Sequence, residues 1–174
     1  MPFPGTVNYN LAPAKLGDMA STNPRQSALA GQGGFIAGPG GVLIGAFCWQ
    51  TVTVPPNTTP SGMAQSKTTV INSGSGAPTG FVAGPDGTNY TYLSEATFLI
   101  PAGDLVQVFV GGDFWATSST ATTIGQKVFA SNQTGVIQTA AAGSIISNYS
   151  ETQFFVASNN AAGELFFMST YPAH

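Results

Sequence analysis

The hydrophobic pattern of the chain changes character near residue 42. From there to residue 54 runs Val-Leu-Ile-Gly-Ala-Phe-Cys-Trp-Gln-Thr-Val-Thr-Val, dense in β-branched and aromatic residues and stopped by Pro55-Pro56. Such a run predicts a long strand with a bulge at Gly45, because branched and ring side chains pack well on a pleated surface and an interior glycine relaxes the pleat. The later apolar stretches are shorter, and each is closed by turn residues. Residues 67–72, 80–83 and 90–100 read as short strands, with loops at 55–66 and 73–78. Residues 105–110 and 114–117 flank Gly111-Gly112-Asp113 and predict a hairpin. Strands at 122–130, 136–140, 154–157 and 164–171 complete the pattern. No helical periodicity of useful length appears, so the predicted class is all-β. The expected architecture is a compact antiparallel β-barrel or sandwich formed by residues 42–174.

Residues 1–41 show neither periodicity. They contain Pro2, Pro4, Pro13, Pro24 and Pro39, and a glycine cluster from Gly31 to Gly41, which predicts an extended N-terminal arm. At about 3.3 Å per residue such an arm spans on the order of 100 Å. Ordering it costs about 1–2 kcal/mol per residue in backbone entropy, so it must gain contacts from its own body or from a neighbour. Phe3, Val7, Tyr9, Leu11, Leu16 and Leu29 are the candidate anchors.

Composition sharpens this picture. Only 6% of residues are charged, against roughly 25% in ordinary soluble domains. Charge normally keeps surfaces apart and blunts sheet edges, so a neutral surface points to permanent assembly with partners. The basic residues Lys15, Arg25, Lys67 and Lys127 are scattered, and no stripe forms that would neutralise several phosphates. Direct nucleic-acid binding is therefore not expected. The first ten residues lack a basic segment followed by an apolar one, and no apolar stretch is long enough for a membrane span, so a soluble, cytoplasmically made protein is expected.

Candidate chemistry is sparse. His174 is the last residue and Cys48 sits within a predicted strand; neither a Ser-His-Asp or Cys-His arrangement nor a zinc site can be built from them. Asp86, Glu95, Asp104, Asp113, Glu151 and Glu164 are the carboxylates available for glycosidase-like pairs. Three of them adjoin glycine, in Asp86-Gly87, Gly103-Asp104 and Gly112-Asp113, where an aspartate usually caps its own turn. The segment Gly31-Gln32-Gly33-Gly34-Phe35 lacks the Lys-Ser/Thr of a phosphate loop. Trp49 and Trp115, with Phe47 and Phe114, offer a carbohydrate-stacking platform, although apolar neighbours favour core packing. No catalytic residue, metal site or cofactor is predicted.

The order of short motifs is more informative than any one of them. Gly17-Asp18-Met19-Ala20-Ser21-Thr22-Asn23-Pro24-Arg25 and Leu29-Ala30-Gly31 are followed by the run 42–49, by Gly74-Ser75-Gly76-Ala77-Pro78-Thr79-Gly80-Phe81-Val82, and by Ile100-Pro101-Ala102-Gly103. Gly111-Gly112-Asp113-Phe114-Trp115, Ile124-Gly125, Val128-Phe129-Ala130 and Thr134-Gly135 continue the series. This collinear set resembles the phage structural cement proteins, which decorate and lock tailed-phage heads. The loop 55–66 and the tail after Ala142 match nothing in that pattern. The resemblance implies a β-rich body bound to the outside of the shell of major capsid protein, as a homotrimer or homodimer bridging neighbouring capsomers. It also implies that Asp18, Pro24 and Arg25 join the apolar anchors in a partner-binding arm. The competing reading is a virion-surface carbohydrate-binding or adhesin module.

Overall fold

A computed structural model describes residues 14–30, 34–51, 68–84 and 98–171, and every element in them is strand, turn or loop. The strands are β1 Gln26–Ser27, β2 Phe35–Ala37, β3 Val42–Leu43, β4 Phe47–Thr51, β5 Thr68–Ile71, β6 Gly80–Val82 and β7 Leu99–Ile100. They continue with β8 Leu105–Val106, β9 Val108–Gly111, β10 Asp113–Thr117, β11 Lys127–Ser131, β12 Ile137–Ala140, β13 Tyr149–Val156 and β14 Leu165–Ser169. A large sheet of seven strands has the order β1-β9-β6-β4-β5-β2-β8; a small sheet of five has the order β10-β14-β13-β11-β12; β3 and β7 form a separate pair. The sheets pack as a sandwich and none closes into a barrel. The ladders are antiparallel except for β2 on β5, which is parallel.

Period-two alternation explains the layering. Phe47 and Trp49 of β4, Phe81 of β6 and Phe109 of β9 face a core shared with Phe114, Phe154, Val156, Phe166 and Met168 of the small sheet. Cys48, Val82 and Val108 alternate with them and enter a second core with Phe35, Val42, Val70, Ile100 and Val106. The large sheet is thus buried on both faces at β6, β9 and the first three residues of β4, which is why that stretch carries so few polar residues. In the shared core Phe81 and Phe114 lie 5.2 Å apart, and Phe47 meets Phe154 edge-on at 5.7 Å, separations at which tilted rings attract.

The predicted hairpin at 105–117 does not form, because β9 and β10 lie in different sheets. Gly112, at φ +131°, carries the chain from one layer to the other, and its flanking Phe109 and Phe114 both turn into the shared core, 5.2 Å apart. Its N–H donates to Thr170 Oγ1 at 2.9 Å. The long strand predicted over 42–54 divides into β3 and β4, since Gly45 adopts φ +76° and its N–H donates to the Val82 carbonyl at 2.8 Å. Of that run, residues 52–54 lie outside the described residues, as do the predicted loop 55–66 and most of the strand predicted at 90–100.

Both sheets curl in the same way. β8 pairs with β2 while β9, one residue further on, pairs with β6, so one bent stretch serves opposite sides of the large sheet. β10 likewise pairs with β14, and the following Ser118 bridges Ile137 on the far edge of the small sheet. Thr120 Oγ1 then accepts from the Thr139 N–H at 3.0 Å, and Thr139 Oγ1 donates to the Ala121 carbonyl at 3.2 Å. Threonines here do what charges do elsewhere, occupying an edge that would otherwise be open.

Gly135 joins the layers. Its carbonyl accepts from the Phe47 N–H at 2.9 Å, its φ is +69°, and an added Cβ would overlap the Phe47 carbonyl oxygen. Gly135→Ala is expected to cost about 3 kcal/mol or more, combining left-handed strain with a backbone clash; urea unfolding of the variant measures it. Burial pushes the Cys48 thiol up from 9.0 to about 12. A pKa higher in the folded state means that the stabilisation is intact below pH 9, where both states are protonated. It is lost at about 1.4 kcal/mol per pH unit as the unfolded thiol ionises above that. Stability measured from pH 8 to about 11 is expected to fall on this slope, and Cys48→Ala is expected to flatten it.

Candidate interaction surface

Residues 17–28 are laid against β9 and β10. Gly17 donates from its N–H to the Trp115 carbonyl at 2.9 Å, Trp115 N–H donates to the Asp18 carbonyl at 2.9 Å, and Ala20 N–H donates to the Asp113 carbonyl at 3.0 Å. Further on, Gln26 faces Gly111 and Ser27 faces Phe109, and the Ala28 N–H donates to the Val108 carbonyl at 2.8 Å. Residues 17–28 therefore run antiparallel to the whole stretch 108–115, crossing from the small sheet to the large one. They form a strap over the junction at which β9 becomes β10.

Between its two paired parts the strap bows outward, and Asp113 holds the bow. Asp113 is 5% exposed. Its Oδ2 accepts from the Ser21 hydroxyl at 2.5 Å and from Asn23 Nδ2 at 2.6 Å. Its Oδ1 is buried and has no hydrogen-bond partner among the described residues. Hydrogen bonds to an ionised acceptor are the strong ones, so this carboxylate is the main side-chain fastening of the strap. A second fastening is the Tyr171 hydroxyl, which donates to the Pro24 carbonyl at 2.6 Å.

Of the candidate arm residues, Phe3, Val7, Tyr9 and Leu11 lie outside the described residues. Leu16 is half-buried, filling the space above Gly45 in an apolar hollow of about 150 Å³ that Ile44, Phe98 and Val136 also line. Asp18 closes a turn by accepting from the Lys15 N–H at 2.9 Å. Pro24 is exposed and serves through its carbonyl. Arg25 is exposed beside the Met19 sulfur. Leu29 is 95% exposed. The structure thus turns Leu16, Asp18 and Pro24 toward their own body and leaves Arg25 and Leu29 in solvent. Asp113, which the sequence places in a turn, is a strand residue in contact with the arm; the flanking Gly112 concealed it.

The other candidates separate cleanly. Trp49 is buried and donates from Nε1 to the Gly76 carbonyl at 3.1 Å; Phe47 and Phe114 are core. Trp115 is half-buried on the outer face of the small sheet, tilted against Phe167 at 5.9 Å. On that face Lys127 Nζ sits 3.5 Å from the centroid of the Phe155 ring and donates to the carbonyls of Thr152 and Gln153. Burial draws its ammonium below the usual lysine range, against the opposing charge of Glu151. Glu151 and Glu164 accept from the N–H groups of Gly143 and Ala161 at 2.9 and 3.0 Å, as loop caps do. Asp86, Glu95 and His174 lie outside the described residues. Among the described residues no cluster of three His, Cys, Asp or Glu side chains is placed to hold a metal ion, and no helix is long and apolar enough to cross a membrane.

The family model of the XM1 gp53 minor capsid protein matches residues 3–169. The chain belongs to that phage minor capsid protein family. It is a structural protein of the virion. No curated protein matches the chain. The match takes in residues 17–28 as well as both sheets, so the strap belongs to the family's own stretch of sequence. The family is described as a minor capsid protein, a broader statement than the cement role that the motif order implies.

The strap fastening has a measurable consequence. Asp113→Ala is expected to lower stability by about 1–3 kcal/mol, the usual effect of deleting a part-buried charged acceptor. Amide exchange should locate the effect: the N–H groups of Gly17, Ala20 and Ala28 should lose protection, while those of β11 and β13 in the small-sheet core keep theirs.

Proposed function

We propose that this minor capsid protein is a cement subunit that binds the outer surface of the major capsid protein shell and bridges neighbouring capsomers as a homotrimer or homodimer. It is made in the host cytoplasm and has no catalytic role. The observation that carries the proposal is the way the chain deals with its own edges. The strap and the Ser118–Thr120 segment cover the edges with backbone and threonine hydroxyls, leaving a nearly uncharged surface. On that surface Leu29, Leu105 and Ile145 stand 95%, 68% and 101% exposed. A surface with so little charge is poorly protected against association, whereas contacts formed once during assembly and kept hidden from salt favour such a surface. Repeated on an oligomer, several weak contacts combine through effective concentration into tight binding. Phe3, Val7, Tyr9 and Leu11, N-terminal to the strap, are the proposed bridging anchors.

The test is binding to phage heads that lack the protein. Saturable binding is expected, changing little as NaCl is raised to about 0.5 M because few ion pairs contribute, and bound heads should resist heating better than bare ones. Removing residues 2–13 leaves the strap in place and is expected to weaken binding by about tenfold or more. No binding by the full chain would sink the cement role, and undiminished binding by the truncated chain would sink the anchors.

One observation favours the carbohydrate-binding or adhesin reading instead, the Trp115–Phe167 pair on the outer face of the small sheet. Glycan binding lost in Trp115→Ala, with head binding unchanged, would carry that alternative.

A further inference from the structure

We propose that the strap is exchangeable: residues 17–28 of one copy occupy the edges of β9 and β10 in a second copy, with Asp113 as the latch that registers and releases them. The inference stands on the strap geometry and does not depend on the shell-binding reading.

The acceptor site is defined by what already occupies it. The edges of β9 and β10 receive residues 17–28 of the same chain, so the partner that fits them is an identical segment. In cis or in trans the main-chain hydrogen bonds, the Ser21 and Asn23 bonds to Asp113 and the Tyr171 bond to Pro24 are the same. When contacts are identical, the balance between own and exchanged strap is set by the connection and by effective concentration.

Release is local. None of residues 17–27 belongs to either buried core; the apolar contacts that leave with the strap are Leu16 in the hollow above Gly45 and Ala28 and Ala30 at the margin of the second core. Residues 21–27 are exposed along their length. The strap therefore lifts without opening the aromatic core, the kind of sub-global opening expected where few apolar contacts hold a segment. The sequence that follows it is Leu29-Ala30-Gly31-Gln32-Gly33-Gly34. Leu29 is in solvent, and a glycine-rich stretch accepts a redirected backbone at low steric cost. Asp113 opposes release with a charged acceptor that two strap side chains share, while its second oxygen has no partner among the described residues. The latch is strong enough to set register and too small to make the pairing permanent.

A cysteine pair reports the exchange directly. Gln26 and Gly111 face each other, and a Cβ built on Gly111 lies 3.5 Å from that of Gln26, within the range that a disulfide spans. Cys48 is buried and stays out of the reaction. The two single variants, Gln26→Cys and Gly111→Cys, are mixed and oxidised with copper phenanthroline at protein concentrations from about 10 µM to about 1 mM, the upper value matching the effective concentration of a short tether. Any 26–111 link is then between copies. The expected result, read by intact mass, is a 26–111 heterodimer that exceeds both homodimers and rises about tenfold across the series. Its absence above the homodimer level at every concentration would overturn the proposal.

The double variant Gln26→Cys/Gly111→Cys must close within one chain at low concentration; failure to do so would overturn the strap pairing itself. Adding Ser21→Ala and Asn23→Ala, both at exposed positions, is expected to speed heterodimer formation by about tenfold through loss of two hydrogen bonds. An unchanged rate would overturn the latch role of Asp113.

Discussion

The antiparallel pairing of residues 17–28 with residues 108–115 is the interaction that closes the junction between the two sheets. Gly112 swings the chain out of the large sheet and into the small one, and at that swing neither sheet has a neighbouring strand to continue its ladder. A junction of this kind exposes two rows of unpaired N–H and C=O groups side by side, a strong template for uncontrolled pairing. The strap satisfies both rows with one continuous segment. It also makes the junction stiff, because residues on either side of Gly112 are now tied to the same piece of backbone.

The second constraint is the near absence of charge. With 6% of residues charged, edge protection by lysine or by inward-pointing carboxylates is unavailable, and hydrogen-bonding neutral groups replace it. Ser21, Asn23, Thr120, Thr139 and Tyr171 do this work at successive edges. Asp113 is the exception, a carboxylate at the one place where the strap must leave the ladder and return to it. Its burial is costly, and two short hydrogen bonds offset part of that cost.

The sequence predicted the all-β class and most strands because each depends on local patterning: branched and aromatic runs, and glycine or proline at their ends. It misled where identical local signals serve different long-range outcomes. Gly111-Gly112-Asp113 between two apolar runs is the signal of a hairpin, yet the partner of both runs is the arm, about ninety residues distant in the chain, as the separation of Ser21 from Asp113 records. Trp49 and Trp115 have similar apolar neighbours, yet one is core and the other half-buried on an outer face. Only the register of the strands decides which side each faces. The Asp113 site was concealed for the same reason, since an aspartate after glycine carries a turn signal strong enough to hide a strand start. Leu16 was legible as an anchor by its apolar character, although its receptor, the space above Gly45, depends on a left-handed glycine that the pattern alone marks only as a bulge.

A hierarchy of stabilities follows from how each part is held. The cores are closed by rings in tilted contact and by side chains with almost no exposure, each contributing about 1.5–3 kcal/mol of burial. The strap is held by main-chain hydrogen bonds, each with a net value near 0.5–1.5 kcal/mol, and by one shared carboxylate. Ordering its residues opposes those gains at about 1–2 kcal/mol apiece. The margin for the strap is therefore small while the margin for the cores is large. The molecule consequently has a rigid interior and a conditional edge.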